Sequence, residues 1–168
     1  MKMLKRLTLL ALIMAMPATG ASAARMASPR WRRIQRTQPV QTAQPVDSSN
    51  PANAEEELVA QVNAERAKYG LGALRVDSEL TRAAQVRARE IVQKFSHTRP
   101  DGTAWNTVSA SAYGENIAVG QRSVDKVMAA WLTSKGHREN ILRASYGSIG
   151  VCRYVSGGVT YWVQLFGK

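Results

Sequence analysis

The chain predicts an α+β domain in which helices pack on a small antiparallel sheet, and three observations carry that reading. Apolar residues recur at steps of three and four in separate stretches between residues 55 and 134. Two β-rich runs joined by a serine and two glycines close the chain. Helices therefore come first and strands last, with no internal repeat.

Residues 1–23 read as a signal peptide rather than as part of the fold. Lys2, Lys5 and Arg6 supply a basic start, Leu7 to Met16 an apolar run, and Ala21-Ser22-Ala23 a cleavage site of small residues. The run falls short of the ~20 residues a membrane span needs, so an exported, soluble protein is expected, periplasmic or secreted. Removing the leader takes three basic residues and lowers the formal charge from +11 to +8.

Residues 24–53 read as a basic, Arg/Pro/Gln-rich linker, with Arg25, Arg30, Arg32, Arg33 and Arg36 and too little apolar content to fold alone. Such a tail suits an anionic envelope surface or serves as a solubilising spacer. Nucleic acid is not an expected partner, because export is expected and no zinc-finger, RNP or helix-turn-helix pattern is present. The folded part is expected over residues 54–168, as a monomer.

Helix one is predicted over residues 55–69, where Leu58, Val62 and Glu65 to Tyr69 fall at helical spacing and Gly70 stops the run. Helix two follows Asp77 as N-cap, with Leu80, Ala84, Ala88, Ile91 and Phe95 on one face and the arginines on the other. Pro100-Asp101-Gly102 marks a turn just after His97. A further helix opens at Ser123, sets Val127, Ala130 and Trp131 on one face with Ser134 near its end, and stops near Gly136. His137 opens a short helical turn through Leu142. "SIGVCRYV" and "VTYWVQLFG" then form an antiparallel hairpin across Gly157 and Gly158. Cys152 is the chain's one cysteine and reads as a buried strand residue, so stability must come from a core.

The chemistry centres on "YGENIAVG", residues 113–120, which sets Glu115 and Asn116 inside an apolar segment. A buried carboxylate needs partners or takes up a proton. The candidates are His97 and His137, the two histidines of the chain, each at a helix end. Two imidazoles and a carboxylate suit Zn²⁺ or a similar divalent cation, and equally suit a hydrogen-bonded acid/base cluster. HExxH, the GxSxG elbow and the Walker loop are missing, and no cysteine stands beside a histidine. Asn116 and Asn140 are expected to bond loop backbone, Trp131 and Trp162 to lie in the core, and Trp105 to wall a cleft. Arg99 and Arg138, beside the histidines, are expected on solvated surface.

Five segments in order, "FSHTRPDG", "YGENIAVG", "VMAAWLTSKGHRENIL", "GSIGVCRYVSGG" and "YWVQLFG", resemble the CAP superfamily of cysteine-rich secretory, antigen 5 and pathogenesis-related proteins in its short bacterial form. The resemblance covers Glu55 to Lys168. It implies an α-β-α sandwich with a small central antiparallel sheet between helices. It also implies a cleft around two histidines and two acids, proposed in several members to bind divalent cations. By motif these are His97, Glu115 and His137, with Ser134 where the second acid of animal and plant members stands. A serine there weakens a Zn²⁺ site, and the disulfides of those members are missing too. The expected function is a non-enzymatic cleft for a lipid, glycan or peptide, with a metal-assisted hydrolase using His97, Glu115 and His137 as the alternative. In a third reading Glu115 and the histidines satisfy one another and lock the loops.

Overall fold

The computed structural model describes residues 50–168. The expected leader and most of the basic linker therefore lie outside the described residues. Asn50 caps the first helix, α1 (Pro51–Ala67), by accepting from the Ala52 amide, so the fold begins about one turn before Ala54. The acids Glu55 to Glu57 consequently fall past the first turn rather than at its open end. Along α1 the side chains of Ala54, Leu58, Val62 and Arg66 are buried at four-residue steps.

A two-residue strand, β1 (Arg75–Val76), leads into α2 (Ser78–Gln93). Asp77 caps α2 as predicted, its carboxylate accepting from the Leu80 amide at 2.9 Å. The helix ends at Gln93, and Phe95, placed on its buried stripe by periodicity, is 51% exposed beyond it. A 3-10 turn over Trp105–Val108 precedes β2 (Gly114–Val119), the YGENIAVG segment. α3 (Val124–Thr133) is capped by Ser123, and Ser134 is the hinge to α4 (Lys135–Ile141). Gly136, read as a stop, lies inside α4, and His137 sits in that helix's first turn. β3 (Ser148–Ser156) and β4 (Val159–Gly167) form the predicted hairpin; Gly157 and Gly158 take φ of 56° and 76°, a backbone that favours glycine.

The sheet order is β1-β3-β4-β2. The three long strands are antiparallel, as expected, while β1 runs parallel to β3 and makes the sheet mixed. Helices cover both faces. α1, α3 and α4 bury Leu58, Val62, Val127 and Trp131 against Ile149, Val151, Trp162 and Phe166. On the other face α2 buries Leu80, Ala84, Ala88 and Ile91 against Ile117, Cys152, Val163 and Leu165. This is the α-β-α sandwich. It explains why "WVQLF" of β4 is apolar almost without alternation: both of its faces are covered.

α2 lies close to β3 because residue 150 is glycine. A Cβ there would stand 2.1 Å from the Leu80 carbonyl carbon and 2.3 Å from the Thr81 amide nitrogen. Cys152 is buried as predicted, and burial pushes its thiol up to about 12.

Candidate functional site

Successive side chains of β2 point to opposite faces, which splits the GEN triplet. Glu115 turns toward α2 and Asn116 toward α4. The Glu115 side chain is buried, and its first partner is one that periodicity had assigned to the solvent face, Arg87. Arg87 Nε donates to Glu115 Oε2 at 2.7 Å and Nη2 to Oε1 at 3.3 Å. The same guanidinium donates to Glu90 at 2.6 Å and to the Ser96 carbonyl at 2.8 Å. Its position was legible: Arg87 follows Ala84 by three and precedes Ile91 by four, within the stripe that buries both.

His97 is the second partner, its Nδ1 2.7 Å from Glu115 Oε1. Because a carboxylate accepts only, Nδ1 carries the hydrogen and Nε2 is left free on a ring that is 53% exposed. Glu90 ties the same loop down through Arg99, at 2.6 Å. Burial opposes ionisation of Glu90, yet Arg99 and Arg87 outweigh it and hold the carboxyl below its ordinary range.

His137 is no partner of Glu115. Its carbonyl accepts from Asn116 Nδ2 at 3.1 Å, and Asn140 Nδ2 donates to the Glu115 carbonyl at 3.1 Å and to Asn116 Oδ1 at 3.0 Å. Both asparagines thus bond backbone, but of α4 and β2 rather than of loops as expected, and Asn116 also reaches the buried Gln164. Burial, and then the charge of His97, hold the His137 imidazole below its ordinary value.

Two open clefts flank β2. The larger, about 430 Å³, is walled by Trp105, Tyr113 and Tyr146 and lined with His97, Glu115, Asn140 and Arg143. The second, about 290 Å³, holds His137 and Ser134 beside Phe95, Ile117, Val119 and Trp131. Of the expected set, His97, Glu115 and Trp105 line the larger cleft and His137 and Ser134 the second, while the charge of His97 still acts on His137. Among the described residues no three His, Cys, Asp or Glu side chains are grouped to hold a metal ion.

Arg66, also unforeseen, positions the larger cleft from behind. Fully buried, it donates to the carbonyls of Gly72, Ile141, Arg143 and Tyr146, and so pins the α4–β3 loop that delivers Arg143 and Tyr146. Tyr146 in turn donates its hydroxyl to the Tyr113 carbonyl at 2.8 Å. Of the two arginines read as surface, Arg99 pairs with Glu90 and Arg138 donates to the Tyr69 hydroxyl.

A layered α-β-α sandwich in which a loop histidine, His97, pairs with Glu115 of the edge strand defines the class. The model of the cysteine-rich secretory protein family, CAP, matches residues 59–166, and the chain belongs to that family. It is 37% identical over 122 residues to YkwD of Bacillus subtilis (strain 168), an alignment covering 68% of this chain and 47% of that protein. The chain thus spans about half the length of that curated relative. Among solved structures, an extracellular protein containing an SCP domain from Bacillus anthracis str. Ames matches with a TM-score of 0.64 at 22% identity, over 70% of this chain and 41% of that one. NaASP2, solved with Zn²⁺, matches with a TM-score of 0.54 at 16% identity, over 68% of this chain and 78% of that one.

Proposed function

We propose that this CAP domain is an exported, non-enzymatic binding module whose larger cleft takes a polar ligand, glycan or peptide rather than lipid. The observation that carries the reading is the cleft's lining: three aromatic walls around His97 Nε2, Asn140 and Arg143. Aromatic faces with a few convergent polar groups are what a hydroxylated or amide-rich ligand requires. A bilayer lipid would need a continuous apolar channel, and this lining is mostly polar. Export is supported by the basic-apolar-small pattern of residues 1–23 and by the extracellular relative with the same fold.

A divalent cation has no part in this reading. Both Glu115 oxygens already accept bonds, and a guanidinium 2.7 Å away opposes a second cation on the same carboxylate. Ser134 and His137 line a different cleft. The donor set as it stands does not fit a four-coordinate Zn²⁺ centre. The hydrolytic alternative has one feature in its favour, a His97 oriented by Glu115 with Nε2 free to act as a base. Among the described residues no serine, threonine or cysteine lines that cleft to serve as nucleophile.

Amide-shift titration of the purified protein with neutral and charged saccharides, short peptides and lipid micelles tests the reading. Shifts clustering on His97, Trp105, Tyr113 and Asn140 without turnover are expected. Silence across the panel would end the binding reading, and turnover of any member would favour hydrolysis instead.

A further inference from the structure

Arg143 has a different environment from the arginines around it. Arg66 and Arg87 are buried with their donors placed on carbonyls and carboxylates, and Arg99 holds Glu90. Arg143 lines the larger cleft, and among the described residues its guanidinium has no hydrogen bond or ion pair. It rests against a wall instead: the guanidinium carbon stands 5.5 Å from the Tyr146 ring centroid. On another wall, Lys168 holds its ammonium 4.4 Å from the ring of Tyr113, again with no carboxylate partner among the described residues. The one carboxylate lining the cleft, Glu115, is neutralised from behind by Arg87, so it does not cancel these cations.

The remaining groups favour hydroxyls. In the neutral ring, His97 Nε2 is an acceptor, since Nδ1 carries the hydrogen toward Glu115. Asn140 has committed its Nδ2 to Glu115 and Asn116, while its Oδ1 accepts no bond among the described residues. Trp105 and the half-exposed Tyr113 line the cleft with aromatic surface.

Building on the binding reading above, we propose that the cleft selects an anionic saccharide, its acid group held by Arg143 and Lys168 and its hydroxyls by His97 and Asn140. The acid group can be a carboxylate or a phosphate ester; a guanidinium fork accepts either.

Calorimetric titration at low salt with methyl glucuronide, glucose 1-phosphate, methyl glucoside and inorganic phosphate tests this on the whole purified protein. One or both charged sugars are expected to bind about 10-fold or more tightly than the neutral glucoside, a margin set by one charge-assisted hydrogen bond. The carboxylate and phosphate arms tell which acid is preferred. Arg143→Gln should remove most of the charged sugar's advantage over the glucoside, and Arg143→Lys should restore part of it. It is the backbone carbonyl of Arg143 that bonds Arg66, so both variants keep that link, and Lys168→Gln gives a second, independent loss. Added salt should weaken the charged sugars and leave the glucoside unchanged.

Equal affinity for glucoside and charged sugars, unmoved by Arg143→Gln, overturns the proposal and leaves the binding reading standing. Inorganic phosphate binding as tightly as the phosphosugar also overturns it, because the site would then be for a bare anion. If no sugar binds, the proposal falls, and the binding reading falls with it only if peptides and lipids are silent as well.

Discussion

Glu115 owes its burial to Arg87 more than to either histidine. Its side chain is 1% exposed and that of Arg87 0%, so removing Arg87 leaves a buried carboxylate with His97 alone, and removing Glu115 leaves the guanidinium with Glu90 and the Ser96 carbonyl. Arg87→Met should therefore cost about 3–5 kcal/mol in urea unfolding, and the double change with Glu115→Leu should recover much of it. A double variant no more stable than the single one would show that the pair is not the unit of stability. His137 acts through its proton. Burial and then His97 depress its pKa below the ordinary 6.5, so the unfolded chain takes up that proton at a higher pH than the folded protein does. Stability from this group is complete above pH 6.5 and falls as the pH drops below it, until folded His137 protonates too. Thermal midpoints from pH 7.5 to 5.5 should decline in the wild type and decline less in His137→Gln; parallel curves would remove His137 from the account.

At the scale of elements, two contacts set the site. α2 comes closest to β3 where residue 150 lacks a side chain, and the same helix places Arg87 against Glu115. Gly150→Ala should push the helix outward and lower stability by about 1–3 kcal/mol or more, with Arg87–Glu115 coupling reduced in a double-mutant cycle. An unchanged melting temperature would mean that α2 can shift without loss. β2 is an edge strand, and its outward carbonyls are covered rather than left as a pairing template. Tyr146 takes the carbonyl of Tyr113, Asn140 that of Glu115, and Trp131 Nε1 that of Ile117 at 3.3 Å. Element identity was legible because periodicity and caps are local: Asp77 and Ser123 mark their helices, and the hairpin glycines mark theirs. The ends of α2 and α4 were less legible. Phe95 and Gly136 look like continuation and stop, and the fold treats them as neither.

Over the molecule as a whole, the sandwich places residues far apart in sequence on one edge. Arg66 of α1 holds the loop that carries Arg143 and Tyr146, and Arg87 of α2 holds the strand that carries Glu115. The cleft between them is thus fixed from both helical layers, which suits a binding surface that keeps its shape. The sequence by itself determined the family, the order of helices and strands and the burial of Cys152, Trp131 and Trp162, and it named His97 and His137 together as candidate partners of Glu115. Those features follow from local pattern, or from motifs whose spacing the fold preserves. Only the tertiary structure decided that Arg87 rather than His137 joins His97 on the Glu115 carboxylate. The physical reason is the alternation of a strand: Glu115 and Asn116 are neighbours in sequence but face opposite layers, and which helix lies on which face is set by packing across the sheet.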